Sequence, residues 1–209
     1  MDKDIEFFIK KFNVSRETIE KLNIYNHFLL ENNKLLNLIG KTTENHIFSR
    51  HFTDSAQIYD LIDDKSEIVD IGSGAGFPGV IIKILMDSKK VEGNVILIDK
   101  SAKKSKFLND LSNKLGITLK IQNVRLEDYK FSKISTIVSR AFKKVIDTID
   151  ILFKNNDKIK SIILMKGKTY QHELEDAKKK YTFDLEKFRS ITSDESYILK
   201  ISNIKRSTT

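Results

Sequence analysis

The chain contains no cysteine in its 209 residues. Disulfides, thiolate metal sites and cysteine nucleophiles are therefore excluded together. Tryptophan is also absent, and the 13 Phe and 6 Tyr fall mostly at core-like spacings, so no base-stacking surface stands out. Proline occurs once, as Pro78. No apolar run approaches the roughly 20 residues that a membrane-spanning helix needs, and Met1-Asp-Lys-Asp does not read as a signal peptide. The four histidines, His27, His46, His51 and His172, lack metal-ligand spacing. The expectation is a soluble, cytoplasmic, monomeric protein with no metal centre and no membrane contact.

Glycine is scarce as well, yet four of the eight glycines, Gly72, Gly74, Gly76 and Gly79, fall in one eight-residue stretch. Ile68 to Ile71 before them is short, apolar and β-branched, as in a buried strand. Val80 to Met86 after them reads as a buried helix. A strand turning through glycines into a helix brings bare backbone close to a ligand, because residues without Cβ permit the approach. Two registers fit. Gly74-Ala-Gly76-Phe-Pro-Gly79 matches the G-x-G-x-x-G dinucleotide fingerprint. Gly72-Ser-Gly74-Ala-Gly76, preceded by Asp70, matches the D-x-G-x-G-x-G loop of S-adenosylmethionine-dependent methyltransferases. The strand end near Ile71 makes Gly72 the first turn glycine. Asp70 suits a cationic ligand better than a pyrophosphate. The next apolar run, Asn94 to Ile98, ends at Asp99, about 20 residues past the last loop glycine. A carboxylate there can accept from both ribose hydroxyls of an adenosine cofactor. It does not choose between the two registers, and it can equally serve as a helix cap.

The chain divides by pattern. Residues 1–62 read as a helical region: Ser15 caps a helix carrying Ile19, Leu22, Tyr25 and Leu29 on one face, Gly40 ends the run, and two short helices follow near 44–50 and 52–61. Asp63 to Ser66 is a polar hinge. Residues 63–209 then alternate. Strands are expected at 67–71, 94–98, 118–123, 134–138 and 159–165, with helices at 79–87, 102–115, about 144–153 and 170–180. Strands at 183–191 and 196–202 flank the hairpin signal Thr192-Ser-Asp-Glu195. This is an α/β pattern: a mostly parallel, seven-stranded, Rossmann-like sheet with helices on both faces, preceded by a small helical region. Seven strands ending in a hairpin is the count of the class I methyltransferase fold. A dehydrogenase would need a substrate domain for which the length leaves little room.

The formal net charge is +8. Part of it belongs to a Lys-, Asn- and Ile-rich composition, but a polyanionic partner is the reading it favours. The lack of cysteine excludes covalent carbon-5 pyrimidine methylation, which needs a thiolate. A single proline excludes the Pro-Pro-aromatic loop of many exocyclic-amine methyltransferases. A substrate atom that is already nucleophilic needs neither.

Four segments carry a family resemblance: Arg50-His-Phe-Thr-Asp-Ser55, Val69-Asp-Ile-Gly-Ser-Gly-Ala-Gly-Phe-Pro-Gly79, Val138-Ser-Arg-Ala-Phe142 and Leu164-Met-Lys-Gly167. Together they resemble the bacterial small-subunit ribosomal RNA guanine-N7 methyltransferases (RsmG/GidB type), from about residue 20 to 202. Asn37-Leu38 matches that family's Asn-Leu-Thr segment, with Ile39 in place of threonine, and Phe77 stands where leucine is common. The resemblance implies methylation of N7 of one guanine in 16S ribosomal RNA, on naked RNA or an assembling small subunit. It implies that Gly72 and Phe77 contact the donor, that Leu126 and Glu127 lie against its adenine, and that Arg140 sits beside it. Arg50, His51, Arg140 and Lys166 become RNA-facing candidates. Guanine N7 carries a lone pair and no proton, so no catalytic acid or base is expected.

Overall fold

The computed structural model describes residues 3–131, 134–155 and 159–207. Seven strands form one sheet: β1 (Glu67–Ile71), β2 (Asn94–Ile98), β3 (Lys120–Gln122), β4 (Ser135–Arg140), β5 (Ile159–Lys166), β6 (Tyr181–Arg189) and β7 (Tyr197–Arg206). Their spatial order is β3-β2-β1-β4-β5-β7-β6. β1 to β5 pair in parallel, and β7 runs antiparallel to both β5 and β6. The helices are α1 (Lys3–Phe12), α2 (Arg16–Leu36), α3 (Asp54–Ala56), α4 (Gly79–Ser88), α5 (Ala102–Leu115), α6 (Val145–Asn155) and α7 (Tyr170–Lys178). Among the described residues no helix is long and apolar enough to cross a membrane.

Strand alternation builds the two faces. Ile68, Val95, Leu97, Val138 and Ile163 join one apolar cluster with Leu22, Tyr25, Leu85 and Phe107 of α2, α4 and α5. Their neighbours Val69, Ile71, Ile96, Ile98, Ile137 and Ile162 join the other, with Val145, Ile149, Leu174 and Ala177 of α6 and α7. Each such side chain removed from water contributes about 1.5–3 kcal/mol. Residues ahead of β1 share the former cluster: Phe8, Phe48, Phe52 and Ile58 are buried in it. Caps set the helix limits. Ser15 Oγ accepts from Thr18 N at 3.3 Å, and Ser101 Oγ accepts from Lys104 N at 3.4 Å. Gly116, left-handed at φ 59°, stops α5.

Several expected limits need correction: α2 ends at Leu36, capped by left-handed Asn37, rather than at Gly40, and β7 runs on to Arg206 rather than to 202. The short helices near 44–50 and 52–61 are instead a chain of tight and wide turns: 3-10 at Lys41–His46, π at Phe48–Thr53, the short α3, and 3-10 at Tyr59–Leu61. A π turn carries more residues per turn than an α-helix, and here Phe48, His51, Phe52 and Thr53 are all buried. The strand at 118–123 narrows to Lys120–Gln122, an edge strand paired only with β2. The strand expected at 183–191 runs from Tyr181 to Arg189. Tyr181 is buried against Phe153 at 5.5 Å between ring centroids. Ser190 leaves the strand's side-chain pattern to bond Thr192 and Gln57.

Candidate active site

The glycine loop joins β1 to α4 and is tied down from four sides. Gly72 N and Ser73 N both donate to Ile98 O of β2, at 2.9 and 3.1 Å. Gly74 N donates to Asp99 Oδ2 at 2.9 Å. Gly79 N donates to Asp70 Oδ2 at 2.8 Å, and Tyr25 of α2 donates its hydroxyl to Ala75 O at 2.6 Å. Three glycines of the loop are crowded, Gly79 most, where a Cβ would lie 2.3 Å from Leu97 Cδ2. A Cβ on Gly76 (φ 99°) would lie 2.5 Å from Val80 Cγ2, and one on Gly72 (φ 69°) would lie 2.5 Å from Phe142 Cδ2.

Two clefts open at the carboxyl ends of the parallel strands, where β1 and β4 part the sheet order, the usual place for a ligand in an open α/β sheet. The inner cleft, about 400 Å³, is lined by Gly72, Ile98, Asp99, Leu126, Glu127 and Phe142 among others. The outer cleft, about 500 Å³, is lined by Asp54, Gln57, Arg140, Phe142, Lys166 and Tyr197 among others. Ala141, Phe142 and Lys143 border both.

Arg140, the last residue of β4, organises the wall beside the outer cleft. Its guanidinium donates to Asp54 Oδ2 at 3.1 Å, to Arg50 O at 3.2 Å and to His51 Nδ1 at 2.8 Å. It lies 4.7 Å over the Phe77 ring. Guanidinium cannot accept, so His51 Nδ1 must, and His51 Nε2–H then donates to Thr43 Oγ1 at 2.8 Å. Burial first, then Arg140 and Arg50, push the His51 pKa down to about 3. Asp54 Oδ1 accepts from Thr192 Oγ1 and Gln57 Nε2, so the π turn, the end of β4 and the β6–β7 hairpin are bonded together.

The anticipated residues separate into groups. Gly72, Asp99, Leu126 and Glu127 come together in the inner cleft. Asp99 takes Ser101 N on Oδ1 and Gly74 N on Oδ2, and each carboxylate oxygen has capacity for a further donor. Gly74 stands on the open side of the loop, where the nearest neighbour to an added Cβ is Gly72 O at 3.8 Å. Gly76 faces inward. Asp70 lines neither cleft: it has no exposed surface, its Oδ2 holds Gly79, and burial raises its pKa to about 7. Phe77 is buried, stacked on Tyr25 at 5.4 Å and on His51 at 5.1 Å, so its ring is not offered to a ligand.

The RNA-facing expectations change most. His51 is a buried neutral ring rather than an exposed cation, because Arg140 fills its acceptor and desolvation disfavours its charge. Lys166 is ion-paired with Glu173 at 2.8 Å and donates to Lys143 O, so its charge is neutralised locally. Arg50 is exposed and donates to Thr192 O at 3.2 Å. Sequence reasoning passed over Lys143 and Lys144, both exposed at the rim of the outer cleft. Their position directly after Ser-Arg-Ala-Phe142 was the available signal. It also passed over Asp54, inside the Arg-His-Phe-Thr-Asp-Ser segment, and Tyr197, which only the folded hairpin brings to the cleft.

A model of the family "rRNA small subunit methyltransferase G" matches residues 18–199. The chain belongs to this family. Relatives of that name are 37% identical in Pelagibacter ubique, over 95% of this chain and 94% of theirs, and 38% identical in Rickettsia akari, over 92% and 98%. Among solved structures, a ribosomal protein L11 methylase from Lactobacillus delbrueckii subsp. bulgaricus superposes with TM-score 0.52 at 17% identity, over 81% of each chain. TrmK of M. capricolum, solved with S-adenosylhomocysteine, superposes with TM-score 0.54 at 16% identity, over 74% of this chain and 69% of that one. Those likenesses show the fold, that of class I methyltransferases. Family membership makes the chain an S-adenosylmethionine-dependent ribosomal RNA methyltransferase. The bare Gly72 backbone, the Asp99 carboxylate with room for hydroxyl donors and the apolar Leu126 side chain suit an adenosine.

Proposed function

We propose that this protein methylates N7 of one guanine in the 16S ribosomal RNA, on the RNA or the assembling small subunit, acting as a monomer in the cytoplasm. One observation carries the reading: the inner cleft, lined by Gly72 and Asp99, meets the outer one along a shared wall at Ala141 to Lys143. Asp99 would hold the ribose, Leu126 the adenine and Gly72 the approach of the methionine portion. S-adenosylmethionine, when bound, supplies an electrophilic methyl on a sulfonium. The outer cleft would receive the guanine, with Lys143 and Lys144 meeting phosphates at its rim. Drawing the base from its stack costs about a few kcal/mol, offset by those phosphate contacts.

N7 carries a lone pair and does not require a general base, and His51 is not placed to act as one. His51 has Nδ1 filled by Arg140 and its proton on Nε2, toward Thr43. What the protein supplies is alignment and exclusion of water. The test is transfer of labelled methyl to 16S RNA carrying guanine or 7-deazaguanine at the mapped position. Transfer to guanine and none to the 7-deaza base, with equal RNA binding, is expected. Transfer to the 7-deaza base would move the target to another atom.

A further inference from the structure

We infer that Phe142 is the residue on which the target guanine stacks, which deepens the methyl-transfer reading and rests on it. Among the residues lining the two clefts, the aromatic side chains are Phe142 and Tyr197. Tyr197 lines only the outer cleft and already packs on Tyr170, at 4.4 Å between centroids. Phe142 borders both and is half-buried. Its ring lies across the first turn of the glycine loop, where a Cβ on Gly72 would meet three of its atoms within 3.3 Å. A planar base entering the outer cleft must reach this wall to present N7 to the inner one.

The backbone supports the assignment independently. Ala141 has φ 53°, in the left-handed region that residues other than glycine rarely adopt. Such conformations persist where the surroundings over-determine them, and they cluster at functional sites. Here the left-handed turn comes directly after β4, between Arg140, whose guanidinium is bonded to Asp54 and His51, and Phe142 at the glycine loop. Lys143 Nζ lies over the Phe142 ring, 5.7 Å from its centroid, so this face already takes a cation and a stacking base would displace the exposed Lys143 side chain from it. An aromatic face recognises any base without reading its edge. The ring therefore supplies placement, while N7 chemistry supplies the choice of atom.

The experiment is single-turnover methyl transfer from labelled S-adenosylmethionine to 16S RNA by wild type, Phe142→Leu, Phe142→Tyr and Phe142→Trp, with donor affinity by calorimetry. Leucine keeps apolar bulk and removes the π face. At saturating donor, Phe142→Leu should lose about 10- to 100-fold in transfer efficiency. The Tyr and Trp variants should recover most of the rate. Phe142→Leu at wild-type efficiency, or equal losses in all three variants, would overturn the stacking role and leave methyl transfer standing. A wild type that transfers no label to the RNA would overturn the functional reading and this inference with it.

Discussion

At the scale of single residues, the glycine loop and Asp99 were legible because their chemistry is local. A strand end, a glycine turn and a carboxylate at a fixed interval need no tertiary information. Asp70, by contrast, was expected beside a cationic ligand and is instead sealed behind the loop. Oδ2 bonds Gly79 N, and among the described residues Oδ1 has no partner. Burial is the main cause that raises its pKa from 3.8 to about 7, with Gly79, Arg140 and Ser73 opposing. A carboxyl whose pKa rises on folding stabilises the folded state while protonated. That contribution is full below 3.8 and is lost as pH rises through about 7. Asp64, held down to about 2 by Ser66 and Lys160, acts in the opposite sense, so the proper comparison is with a variant. Asp70→Asn keeps an acceptor for Gly79. The stability of wild type relative to Asp70→Asn should fall between about pH 4 and pH 8, measured by urea unfolding at stepped pH. A difference that stays level with pH would mean Asp70 is ionised throughout.

Elements were legible where their pattern is periodic. α5 coincides with the expected helix 102–115, with its face of Phe107, Leu108 and Leu111 and its stop at Gly116. β1 and β2 coincide with their expected limits. What periodicity cannot state is what a helix packs against. α2 was read as an amphipathic helix, and the structure makes it the buttress of the glycine loop. Tyr25 is fully buried, stacks on Phe77 and bonds Ala75 O. The turns at 41–61 were not legible as such, because their wide and tight windings follow from burying Phe48, His51 and Phe52 together. The prediction at this scale is Tyr25→Phe, which keeps the ring and leaves Ala75 O without its donor. Stability should fall by about 1–3 kcal/mol, and donor affinity should fall with it as the loop loosens. Chemical denaturation and calorimetry measure the two. Unchanged values in both would separate α2 from the donor loop.

For the whole molecule, alternation of strands and helices was sufficient to give a seven-stranded sheet and its closing hairpin, because both faces of the sheet must be buried and the strand residues alternate accordingly. Net charge was a weaker guide. It gave the sign of the partner but not the surface, since which cations remain available depends on pairing across the fold. Lys166 is neutralised by Glu173, and Arg140 is bound within the wall it helps to form, whereas Lys143 and Lys144 stay exposed. Residues distant in sequence, such as Asp54 and Thr192, meet only because the π turn and the β6–β7 hairpin close on the end of β4. The central claim is that all of this serves methylation of one guanine N7. Its most direct test is mapping N7-methylguanine along 16S ribosomal RNA from cells with the protein, without it, and with it restored. One N7-methylguanine should disappear without the protein and return with it. An unchanged N7-methylguanine map, or the loss of a mark at a different atom, would contradict the account.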